Sequence, residues 1–295
     1  MAAQRKGILL AGGHGTRLYP MTEVTSKHLL AVYDKPMIYY PLTTLMMAGV
    51  REVLIIALPR DIPNFQHLFG DGRQWGMQFE YKEQVEPRGL ADAFLLGEKF
   101  LNGSPVVLVL GDNIFYADHL SHRLQEVNKR NEGGTIFAYK VKDPSRYGVV
   151  TFDQSGRAVH IEEKPKEPKS NYAIPGLYFF DETVVEIAKS IKSSARGELE
   201  ITDVHNAYMQ KNALHVEVLS RGVAWFDSGT PTSLLQTSFF IEALEERQGI
   251  KVGCPEEVAL RMGFIDKEAY QACLKKIKSG SYRQYLEEIL DEELA

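Results

Sequence analysis

Cysteine is nearly missing from this chain of 295 residues: only Cys254 and Cys273 occur, in no CxxC spacing. That argues against a disulfide framework and against a cysteine-ligated zinc site. Long apolar runs are missing too. Met1-Ala2-Ala3-Gln4-Arg5-Lys6 leads into a run of five apolar residues, too short for the hydrophobic region of a secretory signal. No run approaches the length needed to span a bilayer. The expectation is a soluble, cytoplasmic protein with no membrane partner. A basic excess is also lacking, since Lys+Arg is 34 against Asp+Glu 39 and the net charge is −5. General binding to nucleic acid or anionic membranes favours the opposite balance, whereas a local basic pocket for one small anion remains compatible. There are no repeats, low-complexity segments or linkers. With 44% hydrophobic residues, the length suits one large α/β domain with appendages or two modest ones.

What is present is concentrated near the start, in Gly7-Ile8-Leu9-Leu10-Ala11-Gly12-Gly13-His14-Gly15-Thr16-Arg17-Leu18. Ile8 to Ala11 are apolar on both faces, as in a strand covered by helices on either side. Gly12, Gly13 and Gly15 allow the backbone φ > 0 and a close approach to a bulky anion. The N–H groups of such a turn, Thr16 included, form a nest for phosphate oxygens, and Arg17 adds a cationic fork. A Walker A loop would need Lys-Ser/Thr after its last glycine, and a dinucleotide fingerprint would need a third glycine where Leu18 stands. Lys27, ten residues past Arg17, supplies a second cation suited to a triphosphate.

Apolar runs at Val53–Ala57 and Val106–Leu110 read as two more buried strands, with helices over 36–48, 65–69 and 89–100 between them and a half-exposed strand at 77–81. Strands alternating with helices imply a largely parallel sheet whose ligands sit beyond the strand carboxyl ends, where both the glycine turn and Gly111-Asp112-Asn113 fall. Further on, short strands are expected at 135–140, 149–152, 159–162, 173–180 and 215–219. Asp153-Gln154-Ser155-Gly156 reads as a hairpin turn. Helices are expected at 182–192 and 200–210, and helical pattern resumes from Thr232.

Several residues carry chemistry by type. Asp112 after a strand would by itself be a turn former or cap, yet opposite a triphosphate loop it suits Mg²⁺, which takes carboxylate and phosphate oxygens. Asp227 in Trp225-Phe226-Asp227-Ser228-Gly229 is its natural partner. Gln84 carries both a donor and an acceptor, which suits the imide edge of thymine or uracil. Glu162-Glu163-Lys164-Pro165 would by itself be a solvated charge run.

The run Gly12-Gly13-His14-Gly15-Thr16-Arg17-Leu18, followed by Ser26-Lys27, Asp34-Lys35-Pro36 and Gly49-Val50-Arg51-Glu52, resembles the sugar-1-phosphate nucleotidylyltransferases, and the similarity covers nearly the whole chain. The resemblance implies a three-layer Rossmann-like α/β fold with a mostly parallel mixed central sheet. It places a core over 1–240, with nucleotide binding in about 1–115 and sugar-phosphate binding in about 116–240, and a C-terminal helical segment over 241–295. It implies dTTP and glucose 1-phosphate as substrates and Mg²⁺ on Asp112 and Asp227. Arg17, Lys27 and Lys164 would meet phosphates, Gln84 and Gly89 the base, and His28 the nucleotide. Asn113, Tyr147, Gly148, Glu163, Ile174 and Glu198 would form the hexose pocket. It further implies a homotetramer, a dimer of dimers, with a regulatory nucleotide site in the segments of Tyr116, Arg221 and Arg261.

The chain departs from the family pattern at His14, His28, Ala31, Pro175 and Pro231-Thr232, none of which removes a charged catalytic group. A catalytic-base role for His28 is unnecessary, because a sugar phosphate is already an ionised nucleophile. The rivals are a transferase using UTP or another hexose 1-phosphate, and a catalytically silent nucleotide-sugar-binding subunit. The second would be expected to have lost a cation or a metal carboxylate.

Overall fold

The computed structural model describes residues 4–292. Strand β1 (Lys6–Ala11) enters the glycine turn, and a small hairpin of β2 (Ala31–Val32) and β3 (Lys35–Pro36) precedes α1 (Tyr39–Met47). Next come β4 (Glu52–Ala57), α2 (Ile62–Phe69), β5 (Gln78–Glu83), α3 (Asp92–Leu96), α4 (Glu98–Leu101) and β6 (Val106–Leu110). The middle of the chain holds β7 (Asn113–Tyr116), α5 (Leu120–Asn128), β8 (Gly134–Lys140), β9 (Gly148–Phe152), β10 (Ala158–Glu163), β11 (Tyr172–Ala173) and β12 (Leu177–Phe180). It closes with α6 (Val184–Ser190), α7 (Ile201–Gln210), β13 (Leu214–Val218) and β14 (Ala224–Asp227). Helices α8 (Pro231–Gln248), α9 (Pro255–Arg261), α10 (Lys267–Leu274) and α11 (Ser281–Glu292) follow.

Ten strands form one mixed sheet in the order β10-β9-β11-β8-β12-β6-β1-β4-β5, with β13 beside β8. Strands β6, β1, β4 and β5 are parallel neighbours, whereas β12 runs antiparallel to both β6 and β8. Alternation along β1 builds two cores. Leu9 and Ala11 pack with α1, α2 and α5, while Ile8 and Leu10 pack with α3, α6 and α7. The result is helix, sheet, helix. Each fully buried Leu or Ile in these layers contributes about 1.5–3 kcal/mol. The chain leaves β1 toward β4 on one side and later returns through β6 on the other, so the strand order reverses at the ends of β1 and β6, where open α/β sheets bind ligands.

Four segments differ from the periodicity reading. The first helix starts at Tyr39, because Lys35 and Pro36 are held in a two-stranded ladder with Ala31 and Val32. The pattern over 89–100 is broken: Gly89 takes φ +109 with its Cα against the Leu199 backbone, and two short helices replace one. The strand expected over 173–180 splits around Pro175–Gly176, so that β11 pairs with β9 while β12 turns to β6. Strand β7 and helix α5 lie in a stretch to which the sequence reading assigned no element. The C-terminal helices pack on the core of the same chain. Ala259 of α9 joins the core beneath α1, and the Arg51 guanidinium stacks on Phe264 at 4.2 Å.

Candidate active site

The carboxyl ends of β1 and β6 are joined by a hydrogen bond from Gly111 N–H to the Leu10 carbonyl, 2.9 Å. This sets Asp112 directly beside the glycine turn. Gly13 and Gly15 have φ +87 and +64, the left-handed region that glycine enters at little cost. Gly15 starts the short turn Thr16–Leu18, which the fully buried Leu18 anchors while Arg17 faces outward.

The second carboxylate arrives through β14. Its antiparallel ladder with β7 pairs Asp227 with Asn113, and Ser228 N–H donates to the Asp112 carbonyl at 3.0 Å. Two acids 115 positions apart thus share one wall. Asp112 Oδ2 accepts from Lys27 Nζ at 2.5 Å, and Oδ1 accepts from Asn113 Nδ2 at 2.9 Å. Burial would raise the Asp112 carboxyl, but Lys27 and these hydrogen bonds hold it below the usual carboxylate range. Asp227 moves the other way, raised by burial and by Asp112 despite Arg17 and Lys27. Asn113 Oδ1 also accepts from Trp225 Nε1 at 2.7 Å and Gly176 N–H at 2.9 Å. Asn113, expected as a sugar contact, lines the cavity and also orients Asp112.

Arg17 and Gly229 belong together: a Cβ on Gly229 would fall 2.8 Å from an Arg17 guanidinium nitrogen and 3.0 Å from Asp227 Oδ1. Gln84 is buried, donates from Nε2 to Asp92 Oδ2 at 3.3 Å, and lays its Oε1 against the Cα of Gly12. The amide is therefore oriented at the floor of the turn. Gly12→Ala forces Gln84 to shift, at about 1–3 kcal/mol for overpacking. We expect the nucleoside triphosphate KM to rise roughly tenfold with kcat little changed, read in a steady-state titration. His28 is buried, hydrogen-bonded to Ser26 Oγ through Nδ1 at 3.0 Å, and packed on Gly111. Burial, then Lys27, pushes its imidazole down to about 3, so it is neutral and props the strand end.

The opposite end of the cavity is built by β9, β10, β11 and α7. Gly148 pairs with Glu163, the Gly148 carbonyl accepts from Ile174 N–H at 2.8 Å, and the Tyr147 carbonyl accepts from Lys164 N–H at 3.0 Å. Lys164 has φ +45, an uncommon conformation for a side-chain-bearing residue and one that clusters at functional sites. Its Nζ lies 3.3 Å from Glu163 Oε1. Burial raises the Glu163 carboxyl, with Lys164 opposing. Glu198, expected on the sugar, is paired with Arg196 at 2.7 Å.

The nucleotide, sugar-phosphate and metal residues expected from the sequence all line one cavity of about 470 Å³, from Gly12 to Glu163, Ile174 and Glu198. It also holds residues the sequence reading assigned no role: Arg146, Tyr178, Arg196, Thr202, His205, Trp225 and Gly229. Arg146, 3.8 Å from Asp227 Oδ2, looks in sequence like any solvated arginine. Gly229, inside Asp-Ser-Gly-Thr, carried a small-residue signal. A larger open depression of about 870 Å³ by Arg130, Arg157 and His215 contains none of the site residues. Of the expected regulatory residues, Tyr116 packs edge-on against Phe240 at 6.0 Å, Arg221 is exposed, and Arg261 pairs with Glu257 at 2.8 Å at the end of α9.

Among the described residues, no three or more histidine, cysteine or carboxylate side chains converge as a metal cage. Two hard oxygen donors, one of them raised by its neighbour's charge, suit a cation that completes its shell with substrate phosphates, as Mg²⁺ does.

A glycine turn, the cations Arg17 and Lys27 and a carboxylate pair at the switch point of a mixed α/β sheet are the parts that an enzyme transferring phosphorylated groups requires. A family model described as nucleotidyl transferase matches residues 6–243, and the chain belongs to that family of enzymes. A glucose-1-phosphate thymidylyltransferase of Mycolicibacterium smegmatis is 54% identical over 98% of this chain and 100% of its own length. One of Neisseria gonorrhoeae is 48% identical over 95% and 98%. A solved structure from Bacillus anthracis, described as a putative glucose-1-phosphate thymidylyltransferase in complex with a sucrose, superposes with TM-score 0.74 at 40% identity. It covers 80% of this chain and 94% of that one. A UDP-glucose pyrophosphorylase complexed with UDP-glucose shares the fold at TM-score 0.70 and 24% identity. Among the described residues no helix is long and apolar enough to cross a membrane.

Proposed function

We propose that the protein transfers a thymidylyl group from dTTP to α-D-glucose 1-phosphate, giving dTDP-glucose and pyrophosphate for dTDP-sugar biosynthesis. The observation that carries this reading is the β7–β14 ladder, which sets Asp112 and Asp227 between the glycine turn and Glu163–Lys164 in a single cavity. The names of relatives near 50% identity and nearly full length support the choice of substrates.

In this reading a phosphate oxygen of the sugar phosphate attacks the α-phosphorus in line. The oxygen–phosphorus bond to the β-phosphate breaks, and pyrophosphate leaves opposite. The barrier lies in bringing two polyanions together and stabilising the charge that shifts. Lys164 orients and partly neutralises the nucleophile. Arg17 and Lys27 hold the departing pyrophosphate, Gln84 meets the base, and Glu163 takes sugar hydroxyls. Mg²⁺ held by Asp112 and Asp227 would supply Lewis-acid neutralisation of the phosphates. An apolar stripe on α8, with Leu235 56% and Phe239 62% exposed, supports self-association into the tetramer that the family likeness implies. The regulatory site near Tyr116, Arg221 and Arg261 belongs to the same proposal.

The test is pyrophosphate release with Mg²⁺, crossing dTTP or UTP with glucose 1-phosphate or other hexose 1-phosphates. We expect dTTP with glucose 1-phosphate to be fastest and EDTA to stop release. Preference for another pair keeps the chemistry and changes the substrates. A folded protein that binds nucleotide but releases nothing with any pair is a silent binding subunit.

A further inference from the structure

His205 sits on α7, one turn beyond Ile201 and Thr202, and all three line the cavity. Thr202 belongs to the sugar end: a Cβ on Gly148 would lie 3.1 Å from Thr202 Cγ2, 3.4 Å from Glu163 Oε2 and 3.6 Å from Ile174 Cδ1. The His205 ring lies 5.1 Å from the Tyr178 ring and stacks on Phe180 at 5.9 Å. The residue is 0% exposed, yet neither Nδ1 nor Nε2 has a hydrogen-bond partner. A buried polar group left unpaired carries a free-energy penalty. A phenylalanine would give the same packing without that penalty, so packing alone does not account for a histidine here. The packed rings hold the imidazole in place, and burial pushes its pKa down to about 3, which leaves one donor and one acceptor at neutral pH. Such a ring is a poor partner for a phosphate and a good one for a hydroxyl, which also donates and accepts.

We propose that His205 is a specificity-determining residue of the sugar pocket, its neutral imidazole pairing with one hexose hydroxyl when the bound sugar displaces the wall that covers the ring. The inference rests on the sugar-phosphate reading above. It differs from a core histidine in what it does to substrate choice: a site built to hydrogen-bond a hydroxyl rejects the analogue that lacks it, because its own polar group is left unpaired.

The experiment is a cycle of wild type, His205→Phe and His205→Asn against glucose 1-phosphate and its 2-, 3-, 4- and 6-deoxy analogues, read as kcat/KM for pyrophosphate release. With glucose 1-phosphate, His205→Phe is expected to lose about tenfold, with the dTTP KM unchanged, and His205→Asn to retain part of the activity. With one deoxy analogue the wild type has already lost that factor, and His205→Phe causes no further loss. An equal penalty with every analogue, or none with any, overturns the proposal and leaves His205 as packing that moves only Tm. If His205→Phe does not fold, the same cycle with His205→Asn decides. A wild type that turns over no hexose 1-phosphate overturns the parent reading instead, before the variants are compared.

Discussion

Asp112→Asn is expected to lower kcat for pyrophosphate release by about 10³-fold, and Asp227→Asn to do the same. Both substitutions preserve shape and remove one negative charge from the wall that Lys27 and Arg17 face. Asp112 has two roles to lose. Its carboxylate is the counter-ion that holds Lys27, and under the proposed reading it would be one of two hard donors for a divalent cation. Asn113, which donates to Oδ1, can still bond to an asparagine oxygen, so the backbone at the end of β6 is kept. The nucleotide dissociation constant is therefore expected to change much less than kcat, while the Mg²⁺ concentration giving half-maximal rate rises. Stopped-flow turnover and a nucleotide-binding titration on the same samples check the split. Unchanged turnover in both variants would reduce the pair to structural acids and remove the metal from the mechanism. Near-equal losses in rate and nucleotide affinity would instead mean that the acids act in ground-state binding as well as in the chemical step.

How much of this was legible beforehand depended on the length scale of the signal. Continuous apolar runs with a glycine turn located β1, β4 and β6, because strands buried on both faces leave no other pattern. The carboxyl-end rule then pointed to Gly12 and Asp112, which line one cavity. Strand β7 was not legible: Asn113–Tyr116 is four residues long and follows so closely on β6 that no periodicity forms. That ladder brings Asp227 to Asp112, so only family resemblance could join them from sequence. Helix α5 escaped because its apolar stripe is just Leu120, Leu124 and Val127 among charged and polar residues. The two short helices after Gly89 reflect tertiary override: the Leu199 backbone occupies the space beside Gly89 and accepts from Ala91 N–H at 3.2 Å. The bonds from Asn113 to Asp112, Trp225 and Gly176 could not be read beforehand, since a side chain's protein partners are set by register and not by its place in a motif.

The largest stability effect is expected away from the cavity, at Glu245 of α8. Lys35 and Glu245 are both almost completely buried and ion-paired at 2.8 Å. Glu245 also accepts from Lys251 Nζ at 2.7 Å and from Val252 N–H at 2.9 Å, while Lys35 and Lys251 both reach Asp34. The cluster ties α8 to the β2–β3 hairpin, and the hairpin in turn supports the segment bearing Lys27. Met37 N–H donates to the Leu30 carbonyl at 2.9 Å, and Ile38 N–H donates to the His28 carbonyl at 3.0 Å. Glu245→Leu leaves the buried Lys35 with Asp34 as its remaining counter-ion and removes the acceptor of Val252 N–H, a change that costs about 3 kcal/mol, the lower end for breaking a buried pair, and lowers Tm by roughly 10 °C in a chain of this size. Replacing both partners, Lys35→Met with Glu245→Leu, is expected to recover at least half of that loss, because a buried pair exchanged for apolar groups is often near neutral. Additive losses in the double variant would mean that the two side chains act separately. The same cluster gives the stability a pH signature. Burial raises the Asp34 carboxyl, but Lys35 and Lys251 together hold it below its ordinary value. Its contribution is therefore complete above the unfolded value of about 3.9 and disappears as pH falls through the lower folded value. Wild type should lose more of its Tm below about pH 4 than a Lys251→Met variant does, and Lys27 should lose its alignment in the same acid range.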